Sequence, residues 1–226
     1  VLTVGDNNYP RGEASTLAAN LGPYRQYIEA GRFLPALGNH DWQCRDCPQP
    51  YLQLFQLPGN GRYYSVALGD LGIWVLDSDD HEPDGIDVRS IQARWLRDGL
   101  ASSACPLKLV ILHHPPYSSG HHGPSRDVRW PFAAWGASAV FSGHEHSYER
   151  LERDGIPYFV NGSAGAGLRG FHRPVEGSRF RYSSAHGAQR ITLDGSTALF
   201  EFWNVHGQRV DAIALAYRSS LAPAAR

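Results

Sequence analysis

Short apolar segments recur along the chain with turn residues between them, the spacing of strands rather than long helices. Val1–Val4, Phe33–Leu37, Tyr63–Leu68, Ile73–Leu76, Leu107–Leu112 and Ala137–Phe141 are read as strands. Tyr158–Val160, Gln189–Leu193, Ala198–Trp203 and Arg209–Ala216 continue the series. The early segments are apolar almost throughout, as strands covered on both faces must be, whereas the later ones alternate. Helical spacing is predicted for Ser15–Ala30, split at Pro23, for Ser90–Leu100, where Ile91, Trp95 and Leu96 share a face, and for Val128–Trp135, interrupted by Pro131. Strands alternating with helices, then strands in succession, imply an α/β layered fold with mixed sheets. Gly162–Gly187, rich in Gly and Arg, is long enough to be a functional loop. One domain is expected over residues 1–217, followed by a frayed tail at 218–226.

Composition narrows the classes. Of 226 residues, 42% are hydrophobic and 19% charged, the balance of a globular domain able to bury a core. A formal net charge of −1 gives no electrostatic reason to expect nucleic acid or an anionic membrane as partner, and no apolar run approaches the length of a membrane span. There is no Met, and the chain opens inside a strand, Val1-Leu2-Thr3-Val4-Gly5. The expectation drawn is a piece or processed form lacking an N-terminal portion. Of the three cysteines, Cys44 and Cys47 form a CxxC in a polar loop with no second pair to complete a zinc site. A small loop disulfide or two inert thiols is favoured over a zinc or redox site.

Four clusters follow apolar strands, where an α/β sheet presents side chains to a ligand. They are Gly5-Asp6-Asn7-Asn8-Tyr9, Gly38-Asn39-His40-Asp41, His113-His114-Pro115-Pro116-Tyr117 and Gly143-His144-Glu145-His146. Singly each is an unremarkable turn. Together they supply carboxylate, phenolate, amide oxygen and imidazole, a donor mixture that suits iron, zinc or manganese.

These motifs, in this order, resemble the purple acid phosphatases of the calcineurin-like metallophosphoesterase superfamily, and Gly143-His-Glu-His-Ser-Tyr-Glu-Arg150 is especially close to the plant-type form. The resemblance covers essentially the whole chain. It implies a four-layer α/β/β/α sandwich with two mixed β-sheets, here without the first strand unit and its leading metal-binding Asp. It implies a binuclear centre, Fe(III) plus Fe(II), Zn(II) or Mn(II), that hydrolyses phosphomonoesters through a metal-bound hydroxide. Asp6 would bridge the metals, Tyr9 and His146 would bind the first, and Asn39, His113 and His144 the second. His40 and His122 would contact substrate or protonate the leaving group, with His121 a rival for the latter place. Asp41 is read as orienting a ligand imidazole. With the leading Asp absent, the first site is expected to hold metal weakly.

Tyr9 separates this reading from a phosphodiesterase or nucleotide hydrolase with two divalent ions; the third alternative is a non-catalytic binding protein of the same fold. No one of Arg169, Arg173, Arg179 and Arg181 is singled out as a phosphate contact, and His81, His172, His186 and His206 are taken as surface histidines. The implied partner is a small-molecule phosphate ester. Family habit and the CxxC point to a secreted or periplasmic location.

Overall fold

The computed structural model describes residues 1–219. Its centre is a seven-stranded mixed sheet of β3 (Tyr64–Leu68), β4 (Leu71–Val75), β5 (Leu107–Ile111), β6 (Ala139–Ser142), β8 (Ile156–Asn161), β7 (Tyr148–Arg153) and β9 (Ser178–Tyr182), in that spatial order. The inner run β4-β5-β6-β8 is parallel, and antiparallel strands flank it on both sides. A second layer comes in two pieces. One is the parallel pair β1 (Leu2–Thr3) and β2 (Leu34–Pro35), and the other is the antiparallel trio β10 (Gly187–Leu193), β11 (Thr197–Asn204) and β12 (Arg209–Ala216).

Side-chain alternation along each inner strand sorts residues to opposite faces of the large sheet. Trp74, Leu76, Val110, Leu112, Val140, Tyr158 and Val160 form one core with Ala93, Leu96 and Leu100 of α4 (Ile91–Ser102). Ile73, Val75, Leu109, Ile111, Phe141 and Phe159 form the other, against Phe200 and Phe202 of β11 and Leu2, Val4 and Leu34. The three α4 positions lie three and four residues apart, one helical stripe, and Ser90 caps the helix by accepting the Ala93 N–H at 3.0 Å. A third cluster, Leu21, Phe33, Leu37, Tyr51 and Phe55, packs α1 (Leu17–Leu21), α2 (Arg25–Glu29) and α3 (Gln49–Leu54) on the far side of β2. There the chain is four layers deep, whereas Arg190, Thr192, Ala212 and Ala214 leave the outer face of the trio exposed. No helix among the described residues is long and apolar enough to cross a membrane.

Several elements depart from the sequence expectation. Residues 14–29 form two five-residue α-helices interleaved with 3₁₀ turns, because Gly22-Pro23 interrupts the helical ladder. Residues 128–135 make turns instead of a helix, although Val128, Trp130 and Phe132 still fill the core. Helix α3 and strands β7 and β9 were not anticipated. Strand β7 reads as polar, Tyr-Glu-Arg-Leu-Glu-Arg, yet Glu149 is wholly buried against the Ser119 and Ser178 hydroxyls, both at 2.6 Å, and Arg150 pairs with Asp211 at 2.7 Å. Strand β9 falls inside the expected long loop. Of the expected tail, Ser219 donates its hydroxyl to Asp70, and residues 220–226 lie outside the described ones.

Candidate metal centre

The parallel strands β1, β2, β5 and β6 all end at one rim, and each is followed by one of the four clusters. Asp6, at φ 56°, and His144, at φ 65°, adopt left-handed backbone that a side chain disfavours. Such strain, on the order of 1 kcal/mol or more per residue, is kept where a side chain must be aimed. Two glycines allow the loops to meet. A Cβ on Gly5, at φ 94°, would lie 2.7 Å from Cγ of His113, and one on Gly38 would overlap Asp6 itself.

The side chains converge accordingly. His113 Nδ1 donates to the Val4 carbonyl at 2.7 Å, which leaves Nε2 with its lone pair facing inward. Within reach of that nitrogen lie Asn39 Oδ1 at 3.0 Å, His144 Nδ1 at 3.2 Å and Asp6 Oδ1 at 3.4 Å. Asn39 Oδ1 is also 3.1 Å from His144 Nδ1. Burial, then the neighbouring His113 and His114 rings, drives the His144 imidazole down to about 2, so it is held neutral as a donor atom. Lone pairs that face one another are electrostatically unfavourable unless a cation lies among them, and this donor set fits a borderline divalent ion.

Tyr9 donates its hydroxyl to Asp6 Oδ2 at 3.0 Å, and its ring lies 4.3 Å from that of His40. Burial and the Asp6 carboxylate push its phenol upward, so a phenolate here requires a cation. His146 is half-buried and holds the Gly167 carbonyl through Nδ1 at 2.9 Å, which keeps Nε2 free. No hydrogen bond or ion pair among the described residues joins it to Asp6 or Tyr9. The set of Asp6, Asn39, His113 and His144 is therefore compact, and the set of Asp6, Tyr9 and His146 looser.

His40 has its backbone N–H on Asp6 Oδ1 at 3.0 Å and its Nδ1 on the Pro10 carbonyl at 2.5 Å. His122 is exposed, 4.5 Å from the His144 ring and 6.1 Å from that of His146, and its Nε2 accepts from Arg169 at 3.0 Å. The rival His121 stacks on His172 at 5.5 Å and makes no ring contact with His144. Asp41 departs from its expected role. It touches no imidazole; its carboxylate gathers the N–H groups of Asn7, Asn8 and Gly38 and the Asn7 amide, all at 3.0–3.1 Å. Burial raises this carboxyl to about 6 against the lowering effect of those bonds.

Two residues escaped the sequence reading. His114 brings a third imidazole, its nitrogen within 4.8 Å of those of His113 and His144, and burial lowers it to about 4. The doubled His-His was visible in sequence, but only the fold turns both rings toward His144. Glu145, 1% exposed, accepts the Gly123 N–H at 2.6 Å through one oxygen, while the other has no hydrogen-bond partner. It thereby braces the loop that carries His122. Cys44 and Cys47 form a disulfide, and Cys105 is a free thiol.

A family model described as calcineurin-like phosphoesterase matches residues 1–148. Tartrate-resistant acid phosphatase type 5 of Rattus norvegicus is 30% identical over 128 residues, covering 51% of this chain and 39% of the relative, and that of Homo sapiens is 27% identical over the same length. The chain thus spans well under half the length of these relatives. A purple acid phosphatase from yellow lupin (Lupinus luteus) seeds superposes with TM-score 0.77 at 20% identity, covering 97% of this chain and 46% of that one. GAP50, described as the anchor in the inner membrane complex of Plasmodium, superposes with TM-score 0.70 at 17% identity, covering 96% of this chain and 78% of that one. An acid phosphatase and an anchor share this fold, so any inference of function has to come from the site.

Proposed function

Because the chain belongs to the calcineurin-like phosphoesterase family, we propose that it hydrolyses phosphate monoesters at a binuclear metal centre, as an acid phosphatase. The observation that carries this is the convergence of Asn39 Oδ1, His144 Nδ1 and Asp6 Oδ1 within 3.0–3.4 Å of His113 Nε2. In this reading Asn39, His113 and His144 hold the divalent ion, Fe(II), Zn(II) or Mn(II). Tyr9 and His146 would hold Fe(III), and Asp6 would serve both ions. Bound there, the cations would neutralise phosphoryl oxygens and acidify water.

The chain's own groups do the rest. Asp6 offers Oδ1 toward His113 and Oδ2 toward Tyr9, so one carboxylate reaches both ligand sets. The Pro10 carbonyl fixes the His40 ring by accepting from Nδ1–H, so Nε2 would hand a proton to the departing alkoxide from the imidazolium form and would keep a lone pair afterwards. His122 and Arg169 face the same rim and would hold the ester in place. The Cys44–Cys47 disulfide supports an oxidising compartment, secreted or periplasmic.

The test combines metal analysis, a visible spectrum and turnover of p-nitrophenyl phosphate against its bis-ester. Expected are metal bound through His113, lost in His113→Ala, and monoester turnover faster than diester turnover. After iron loading, a visible band should disappear in Tyr9→Phe. Full iron loading without colour, together with preference for the diester, would move the assignment to a phosphodiesterase with two divalent ions. Metal-loaded protein that turns over neither ester would support the non-catalytic alternative.

A further inference from the structure

Among the four arginines of residues 162–187 the structure discriminates sharply. Arg179 pairs with Glu152 at 3.1 Å, Arg181 donates to the Ser178 hydroxyl at 2.5 Å, and Arg173 is exposed, with no side-chain hydrogen bond or ion pair among the described residues. Arg169 alone turns to the metal rim. Its backbone N–H donates to the His146 carbonyl at 3.0 Å, while the His146 ring holds the Gly167 carbonyl at 2.9 Å, so its Cα is anchored beside a candidate ligand. Its guanidinium donates to His122 Nε2 at 3.0 Å. No carboxylate among the described residues forms an ion pair with it, unlike Arg62, Arg150, Arg153, Arg179, Arg190 and Arg209.

The two loops that present this rim are fastened together. Gly120 pairs with Phe171, the His172 N–H donates to the Ser119 carbonyl at 2.8 Å, and the Val175 N–H donates to the Ser119 hydroxyl at 3.0 Å. Buried Glu149 ties both loops by accepting from the Ser119 and Ser178 hydroxyls. The backbone of Arg169 is therefore held at the rim, and its exposed side chain is aimed there by the hydrogen bond to His122. A guanidinium without a carboxylate partner beside a cation site is repelled by the cation unless an anion lies between them, and the His122 nitrogen that accepts from it leaves its charge uncompensated. It reaches the rim through His122, whose ring lies 4.5 Å from that of His144, so a group it binds would lie beside the metal ligands and not among them.

We propose that Arg169, with His122, binds a second anionic group of the substrate, a carboxylate or further phosphoryl group on the leaving-group side, and so selects esters that carry one. This rests on the phosphatase reading above and deepens it. The planar fork of Arg suits bidentate pairing with such a group.

The test is calorimetric titration of the metal-loaded full chain with two stable phosphonates. Butylphosphonate has one anionic group, and 4-phosphonobutyrate adds a carboxylate. Expected is a preference on the order of tenfold for 4-phosphonobutyrate, the effect of one charge-assisted hydrogen bond. That preference should fall below about twofold in Arg169→Ala and survive in Arg179→Ala, with about 0.5 M salt weakening it in the parent by screening. No preference in the parent, or equal weakening of both ligands by Arg169→Ala, overturns the inference and leaves the phosphatase reading intact. Failure of both ligands to bind metal-loaded protein overturns the phosphatase reading and this inference with it.

Discussion

Replacing Asp41 probes how the two principal ligand loops are held in register. The carboxylate is 2% exposed and accepts from the Asn7, Asn8 and Gly38 backbones and from the Asn7 amide. Asp6 precedes the first of these loops, and Asn39 follows Gly38. In Asp41→Asn, the amide oxygen can turn toward the three donors now on Oδ2, but its NH₂ then faces the Asn8 N–H. One buried donor is left unsatisfied, at a cost of about 2 kcal/mol. For a domain of this size that is a fall in Tm of about 4–8 °C. Asp41→Ala strands all four donors, at a cost of about 4 kcal/mol or more, a large share of typical domain stability. Loosened loops should also weaken the divalent site about tenfold or more, as loss of groups that orient metal ligands does. Calorimetric melting and zinc titration at neutral pH, well below the melting range, separate the two effects. Asp41→Asn with Tm lowered by less than about 2 °C and unchanged zinc affinity would refute the reasoning.

Gly5→Ala should abolish tight zinc binding by displacing the His113 ring, since the new Cβ would sit 2.7 Å from its Cγ and φ is 94°; a titration matching the parent would count against the close approach. Glu201 is paired with Arg190 and Arg209, and the Arg190 hydrogen bond is the main cause of its lowered carboxyl. A depressed folded value contributes stability that is complete above the unfolded value, near 4.5, and is lost as pH falls through the folded one. The Tm gap between the parent and Glu201→Gln should therefore be constant at neutral pH and shrink below about pH 4.5; a gap that widens on acidification contradicts the pairing. Reducing Cys44–Cys47 should cost only about 2 kcal/mol, since the loop it closes is short. A collapse of the melting transition in reductant would show that the bond does more.

Long-range convergence was more legible than local structure. The motif glycines and donor residues each follow an apolar strand, and each parallel pair, β1–β2 in one sheet and β5–β6 in the other, gathers the residues after it at one end. Asp6, Asn39, His113 and His144 could thus be placed without knowing any crossover. Strand β7 was not legible by hydropathy, because Glu149 and Arg150 are paired only by residues distant in sequence, Ser119, Ser178 and Asp211. Its turn carried a local signal that went unread: Arg153 pairs with Ile156 across Asp154-Gly155, both at positive φ, the two-residue hairpin signal. Asp41 was misassigned because an acid beside a ligand motif satisfies backbone donors as readily as an imidazole. Arg169 could not be told from Arg173, Arg179 and Arg181, since what distinguishes it is a backbone pairing with His146 that only the folded loop creates.

Without a cation, the rim asks a good deal of the fold. Asp6 and His144 sit at φ 56° and 65°, and an unprotonated imidazole nitrogen, an amide oxygen and a carboxylate oxygen face one another at 3.0–3.4 Å. Packing alone gives no reason for this, because the apolar cores on either side of the sheet are complete without it. A metal ion that binds only the folded chain offsets the strain and repulsion, and adds about 2.7 kcal/mol of stability at a free concentration one hundred times its Kd. A non-catalytic relative of this fold has no need to keep such strain, and substitution of Asp6 or His144 by residues at ease in ordinary backbone would relieve it. The strained ligands of this chain therefore argue more strongly for a working metal site than its fold does, since that fold also serves a protein described as an anchor.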